Sequence, residues 1–313
     1  MSSLHVARGW ILLEWLCCFA AATPAAAQAV PGNTPTSLPQ VTVNGRREED
    51  SRQRAHAFVS GLTHSGRFTG EGLALWRVPV CFLIDGPPDT LSKLLLSRLV
   101  ADTDAAGARL GRRNCQPNFL VILTPDPDAR LQALKARHPL MLGRSQPAQI
   151  RRFLHPTTPL AVRVWHDAQE VDLDGLPLLN TDECGGLPTS FFRLDTPQDD
   201  VRIACTTRES RLSVQRMSAF LSVLVVVNTT LTRRATPEQL ADYIALVGLA
   251  DIDPSANVGD APSILHLFTG VGSDVLPGLS DWDRAFLFGL YHTDQSSRGQ
   301  SREIEKAVVK SLP

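Results

Sequence analysis

Residues 219–227 (AFLSVLVVV), bounded by Ser218 and Asn228, constrain the fold of this chain more than any other stretch. A helix crossing a bilayer needs about 20 apolar residues. Nine residues rich in valine suit a buried strand instead, so the chain needs a sheet with something packed on it. Other stretches agree. Residues 119–123 (FLVIL) read as a second buried strand, and residues 160–165 (LAVRVW) as an alternating one with Val162 and Val164 on one face. Residues 73–84 read as extended, with Pro79 marking a bend or an edge.

Helical patterns lie between and after these strands. From Glu48 the residues Ala55, Phe58, Val59 and Leu62 share one face. After the turn Asp85-Gly86-Pro87-Pro88, residues 91–106 carry Leu94, Leu95, Leu99 and Val100 at helical spacing, with Gly107 as the stop. Residues 126–137 and 147–154 read as two further helices. Thr236-Pro237-Glu238-Gln239 has the form of a capping box, with proline at the first helical position. The helix it opens runs through Leu240, Ile244, Val247 and Leu249. Ser280 caps another, with Asp281 and Asp283 in its first turn and Phe286, Leu287 and Leu290 turned inward. The expected fold is α/β or α+β: a mixed sheet with flanking helices and a helical C-terminal third, in one domain.

The first 27 residues set the compartment. Arg8 gives a small positive start, a mostly apolar stretch follows, and Ala25-Ala26-Ala27 offers a processing site before Gln28. The expected organisation is a signal peptide over 1–27, a proline-rich disordered linker over 28–47 and a globular domain over 48–313, in the periplasm or secreted. Glu14 within the apolar stretch fits neither a signal nor an anchor well.

Cleavage at that site leaves Cys81, Cys115, Cys184 and Cys205, an even set in an oxidising compartment. Three pairings are possible. Predicted strands that place Cys81 near Cys115 favour the sequential one, in which Cys184 and Cys205 clamp the loop-rich residues 169–207. A zinc site would need a C-x₂₋₄-C knuckle, which is missing.

Lys+Arg 31 against Asp+Glu 32 leaves no basic excess for nucleic acid or lipid. Lys93, Lys135, Lys306 and Lys310 are the only lysines, so the positive charge is mainly arginine, suited to bidentate pairs. Motifs for chemistry are weak. His56 and His64 could share a helix face but lack an acidic partner. Asp172-x-Asp174 with Glu183 resembles a calcium loop, but Gly175 and Leu176 fall where the loop needs other residues. Gly270-Val271-Gly272-Ser273 matches neither a nucleophile elbow nor a dinucleotide loop. These patterns identify no catalytic residue, cofactor or metal ligand.

Two stretches carry a resemblance. One runs from Val80-Cys81-Phe82 through Gly86-Pro87-Pro88, Arg98 and Gly107 to Cys115-Gln116-Pro117-Asn118. The other runs from Val225-Val226-Val227-Asn228 through Gln239-Leu240-Ala241-Asp242-Tyr243, Pro262-Ser263-Ile264-Leu265 and Leu279-Ser280-Asp281-Trp282-Asp283 to Leu290-Tyr291. Together they resemble a family of exported proteobacterial proteins without established activity, which is distantly similar to zinc-peptidase-like proteins. The resemblance places the zincin ligand and base positions near Leu240, Ala241 and Ile244, which cannot hold zinc. It implies a scaffold without the metal motif. Two functions follow as expectations. One is a non-catalytic binding or envelope-associated protein, taking a small ligand or an envelope protein as partner. The alternative is a hydrolase-like enzyme whose site is assembled from distant residues: Asp242, Tyr243, His266 and Asp283.

Overall fold

The computed structural model describes residues 40–63, 73–139, 141–142, 147–171, 178–179, 204–205, 217–269, 276–293 and 299–311. The apolar run anticipated as a strand is the centre of the sheet. It forms β7 (Met217–Asn228), which pairs along one edge with β4 (Val162–Val171), antiparallel. Its other edge is shared by two parallel neighbours: β1 (Leu75–Trp76) near its start and β3 (Phe119–Thr124) beyond. β2 (Phe82–Asp85) lies parallel on the far side of β3. The extended reading of residues 73–84 therefore divides into two strands, broken around Pro79, which lacks the N–H that a continuous ladder requires. A separate parallel pair joins β5 (Leu178–Leu179) to β6 (Ala204–Cys205).

The sheet is mostly parallel, with helices on both faces, which is the α/β arrangement. Strand alternation sorts the side chains. Phe119, Val121, Leu123, Val162, Val164, Val223, Val225 and Val227 face one core. Leu120, Ile122, Trp165, Leu224 and Val226 face the other. The first, larger core is built with α1 (Gln40–Thr63), α2 (Asp89–Ala106), α5 (Pro237–Leu249), α6 (Asp281–His292) and α7 (Gln300–Lys310). The smaller core is covered by α3 (Pro127–Arg137) and α4 (Pro147–Leu154), through Leu131, Phe153 and Leu154. α1 starts at Gln40, inside the stretch read as linker. Pro39 is the last proline before it, so nothing from Val41 to Asp50 interrupts the helix. Residues 28–39 lie outside the described residues.

α5 organises the larger core. It is apolar on almost every side, and all its residues from Gln239 to Leu249 are buried. A buried helix must satisfy its end groups inside the protein. At the N-terminus, Thr236 and Gln239 form the anticipated capping box. At the C-terminus three side chains donate to the last carbonyls: His166 Nε2 to Val247 (2.8 Å), Trp76 Nε1 to Gly248 (3.0 Å) and Tyr291 Oη to Leu249 (2.6 Å). Gly248 is required for close approach, because a Cβ there would lie 2.1 Å from Phe119 Cζ.

Candidate functional site

The strongest concentration of buried charge outside the sheet lies where α2 meets α5. Leu95, Leu99, Asp102 and Ala106 follow one another on the buried side of α2 at helical spacing, so a carboxylate interrupts an apolar stripe. Asp242 does the same on α5 and has no solvent exposure. One cation answers both. Arg98 donates to Asp242 through Nε to Oδ1 (2.5 Å) and Nη2 to Oδ2 (2.9 Å), a bidentate pair. Its Nε is also 3.9 Å from Asp102 Oδ2. The Leu279 N–H completes the cradle at 2.7 Å from Asp242 Oδ2. Gly278 makes this approach possible, since a Cβ there would lie 2.3 Å from that oxygen.

The two carboxyl groups have opposite proton affinities. Burial pushes Asp242 up, but the Arg98 hydrogen bond, the Leu279 N–H and the Arg98 charge bring it below the ordinary carboxylate value. Asp102 is pushed up to about 7, first by burial and then by the charge and hydrogen bond of Asp242, against the opposing pull of Arg98 and Arg284. Asp102 Oδ2 is sealed from solvent and has no ordinary donor. The raised value of Asp102 beside the lowered value of Asp242 favours a neutral acid next to a carboxylate, with the pair titrating together.

Asp102 also lines a concave pocket of about 470 Å³ between α2, α6 and α7. Its walls are mainly apolar, including Ala106, Leu287 and Phe288, and Arg284 and Lys310 add cationic groups. Asp242 sits behind Asp102 and does not line the pocket. This is the form of a ligand site: an apolar cavity with few polar groups, one of them with a perturbed proton affinity.

The residues of the anticipated enzyme site are engaged separately. Asp242 belongs to the cradle just described. Tyr243 Oη donates to the Pro254 carbonyl (3.3 Å), and burial raises its pKa. His266 Nε2 donates to the Ala261 carbonyl (3.1 Å). Asp283 is enclosed and accepts from Ser263 Oγ (2.7 Å), Ile264 N (2.9 Å) and both N and Oγ of Ser280 (2.9 Å each). Burial raises its pKa, opposed by these hydrogen bonds. Asp283 thus ties α6 to the short 3₁₀ helix Ile264–Phe268. Among the described residues, His56 and His166 approach carboxylates. His56 Nδ1 is 2.8 Å from Glu305 Oε1 at the surface. His166 Nδ1 is 3.4 Å from Asp251 Oδ1, under the ring of Phe220.

Leu240, Ala241 and Ile244, the positions singled out by the zincin resemblance, are all buried in the larger core. Cys81 and Cys115 stand at disulfide distance, with Cα atoms 6.0 Å apart. Cys184 lies outside the described residues, and of Cys205 only the backbone in β6 is described. His64, Asp172, Asp174, Glu183 and residues 270–273 also lie outside them. The pairing of Asp102 with Asp242 was not anticipated. Its sequence signal is the same at both positions: an acidic residue on a face otherwise built of leucine, isoleucine and alanine. Comparison with protein-family models, with curated proteins and with solved structures gives no match.

Proposed function

We propose that the chain is an exported, non-catalytic binding protein. Its pocket between α2, α6 and α7 takes a small, largely apolar ligand whose polar group meets Asp102. The observation that carries this reading is the 470 Å³ apolar cavity with Asp102 in its wall. Catalysis by the dyad is disfavoured by the commitments of Asp242: Arg98 and Leu279 occupy its oxygens, and it has no exposure. Export is supported by the Arg8-to-Ala27 pattern and by the Cys81–Cys115 pair. Among the described residues no helix is long and apolar enough to cross a membrane. The sequence resemblance supports a zincin-like scaffold whose metal positions are taken by Leu240, Ala241 and Ile244.

The test uses the chain from Gln28 onward and Nile red, an uncharged apolar probe. Fluorescence enhancement is expected, together with its loss in Ala105→Phe, which places a ring at the pocket from an exposed helix position. No enhancement, or undiminished enhancement in the variant, overturns the reading. Turnover of an ester or peptide substrate that disappears in Asp102→Asn would favour the hydrolase alternative instead.

A further inference from the structure

A second concavity, of about 780 Å³, lies at the sheet's β4 edge. It is enclosed by the end of α4, the start of β4 and residues 253–255. Its chemistry is cationic. Arg151, Arg152 and His155 line it, all exposed, and among the described residues none has a side-chain hydrogen bond or ion pair. Arg163 lines it too and is buried at 6% exposure. Its Nη1 donates to the Leu154 carbonyl (3.2 Å) and meets Asp128 Oδ1 (2.7 Å). Its Nε is sealed from solvent without an acceptor. Asp253 is the one carboxylate among the described lining residues, and its Oδ1 is taken by Ser255 N (2.8 Å) and Oγ (2.5 Å).

We propose that this groove binds the oxyanion group, phosphate or carboxylate, of an organic ligand. The dipole of α4 accounts for basic residues in its last turn. It does not account for a buried arginine with unused donors beside three unpaired bases. Arginine donors match phosphate and carboxylate in planar, bidentate fashion. Phe153, Pro156, Leu160 and Pro254 give the groove apolar walls against which the body of such a ligand can pack. The position in the fold agrees. Val162 and Val164 of β4 lie opposite Val227 and Val225, so the groove borders the carboxyl end of β7. Ligands of open α/β sheets bind outside the carboxyl ends of the strands.

Calorimetric titration of the chain from Gln28 onward with phenyl phosphate, benzoate and phenol, at matched ionic strength, tests the proposal. Binding of phenyl phosphate or benzoate, and not of phenol, is expected; the tighter of the two anions identifies the headgroup. The double variant Arg151→Ser/Arg152→Ser changes only exposed, unpaired side chains and should weaken binding at least tenfold. Arg163→Met should weaken it as well. Heats no greater than a chloride control, equal binding of phenol, or unchanged affinity in the double variant would overturn the proposal. Nile red binding should be unaffected by these substitutions, which separates this groove from the Asp102 pocket.

Discussion

On the broad face of the sheet the buried groups include the carboxyls of Asp102, Asp242 and Asp283, and the last two take partners from other elements of the chain. Asp242 on α5 is held by Arg98 of α2 and by Leu279 ahead of α6; Asp283 on α6 is held by Ser280 and by Ser263 and Ile264, which open the 3₁₀ helix. On the narrow face the buried charged groups include the cation Arg163, whose partner Asp128 is half exposed, and Asp167, opposite Ser222 in the β4–β7 ladder. A short, enclosed carboxylate cannot reach water, so donors must be brought to it, and elements are tied together in the process. A long arginine can keep part of its head near solvent and leave donors unused. Buried charge therefore fastens helices together on one face and lines a groove on the other.

The contrast is broken most directly at Arg98. Arg98→Met leaves Asp242 enclosed with the Leu279 N–H as its remaining firm donor. Stranding an enclosed carboxylate costs up to about 3–5 kcal/mol, less here because Arg98 is itself 37% exposed. Urea unfolding of the variant should show that loss as a lower midpoint. Adding Asp242→Asn should recover much of it, because the stranded charge is removed with the cation. If Arg98→Met alone shifts stability by less than about 1 kcal/mol, the value typical of an exposed pair, the arginine is not fastening α2 to α5.

The opposed proton affinities of Asp102 and Asp242 give a smaller, pH-dependent effect. The folded-state value of Asp102, about 7, lies above the ordinary 3.8 of an aspartate. Its stabilising contribution is therefore complete below about pH 4 and is lost as pH rises through about 7. Asp167, pushed up to about 6 by burial, acts in the same direction. Asp242, held below its ordinary value, acts oppositely, losing its contribution as pH falls below that range. The groups acting on Asp102 are Arg98 from its own helix, Asp242 from α5 and Arg284 from α6. Asp102→Asn keeps an N–H directed at Asp242 and cannot ionise. Its melting temperature should match that of the parent near pH 4 and exceed it at pH 8. Parallel curves from pH 4 to 8 would show that the Asp102 carboxyl is not raised.

The parts of the fold that could be read in sequence were those fixed by local patterns. Residues 219–227 lie within β7, the capping box at Thr236 and the cap at Ser280 hold to the hydrogen bond, and α4 spans Pro147–Leu154 as its pattern indicates. α7 was not anticipated. Its residues are mainly charged or polar, and only Gln300, Ile304 and Val308 are buried, too few to stand out as a stripe. The pocket was hidden for another reason. Asp102 and Asp242 are 140 residues apart and meet only because α2 and α5 pack side by side. A list of potential catalytic residues included Asp242 and Asp283, but it could not show that both were already used to hold neighbouring segments. What sequence does show is the anomaly itself, a carboxylate on an apolar helix face, which demands a partner without identifying it.

Arg163 provides the gentlest test of the contrast between the faces. Its replacement by methionine removes a buried charge and the sealed Nε that has no acceptor. It leaves Asp128 without its partner, but that side chain is 56% exposed and can be hydrated. The Leu154 carbonyl loses one donor at the end of α4, a net hydrogen bond worth about 1 kcal/mol. Replacing a buried ion pair member with an apolar side chain is costly when it strands a buried charge, and close to neutral when it does not. Arg163→Met should therefore change unfolding free energy by no more than about 1 kcal/mol in either direction, well below the effect at Arg98. Urea unfolding of the two variants side by side makes the comparison. A loss at Arg163 equal to that at Arg98 would mean that the narrow face is fastened by its ion pair after all, and that the cations of the groove are structural in the same sense as the carboxylates opposite.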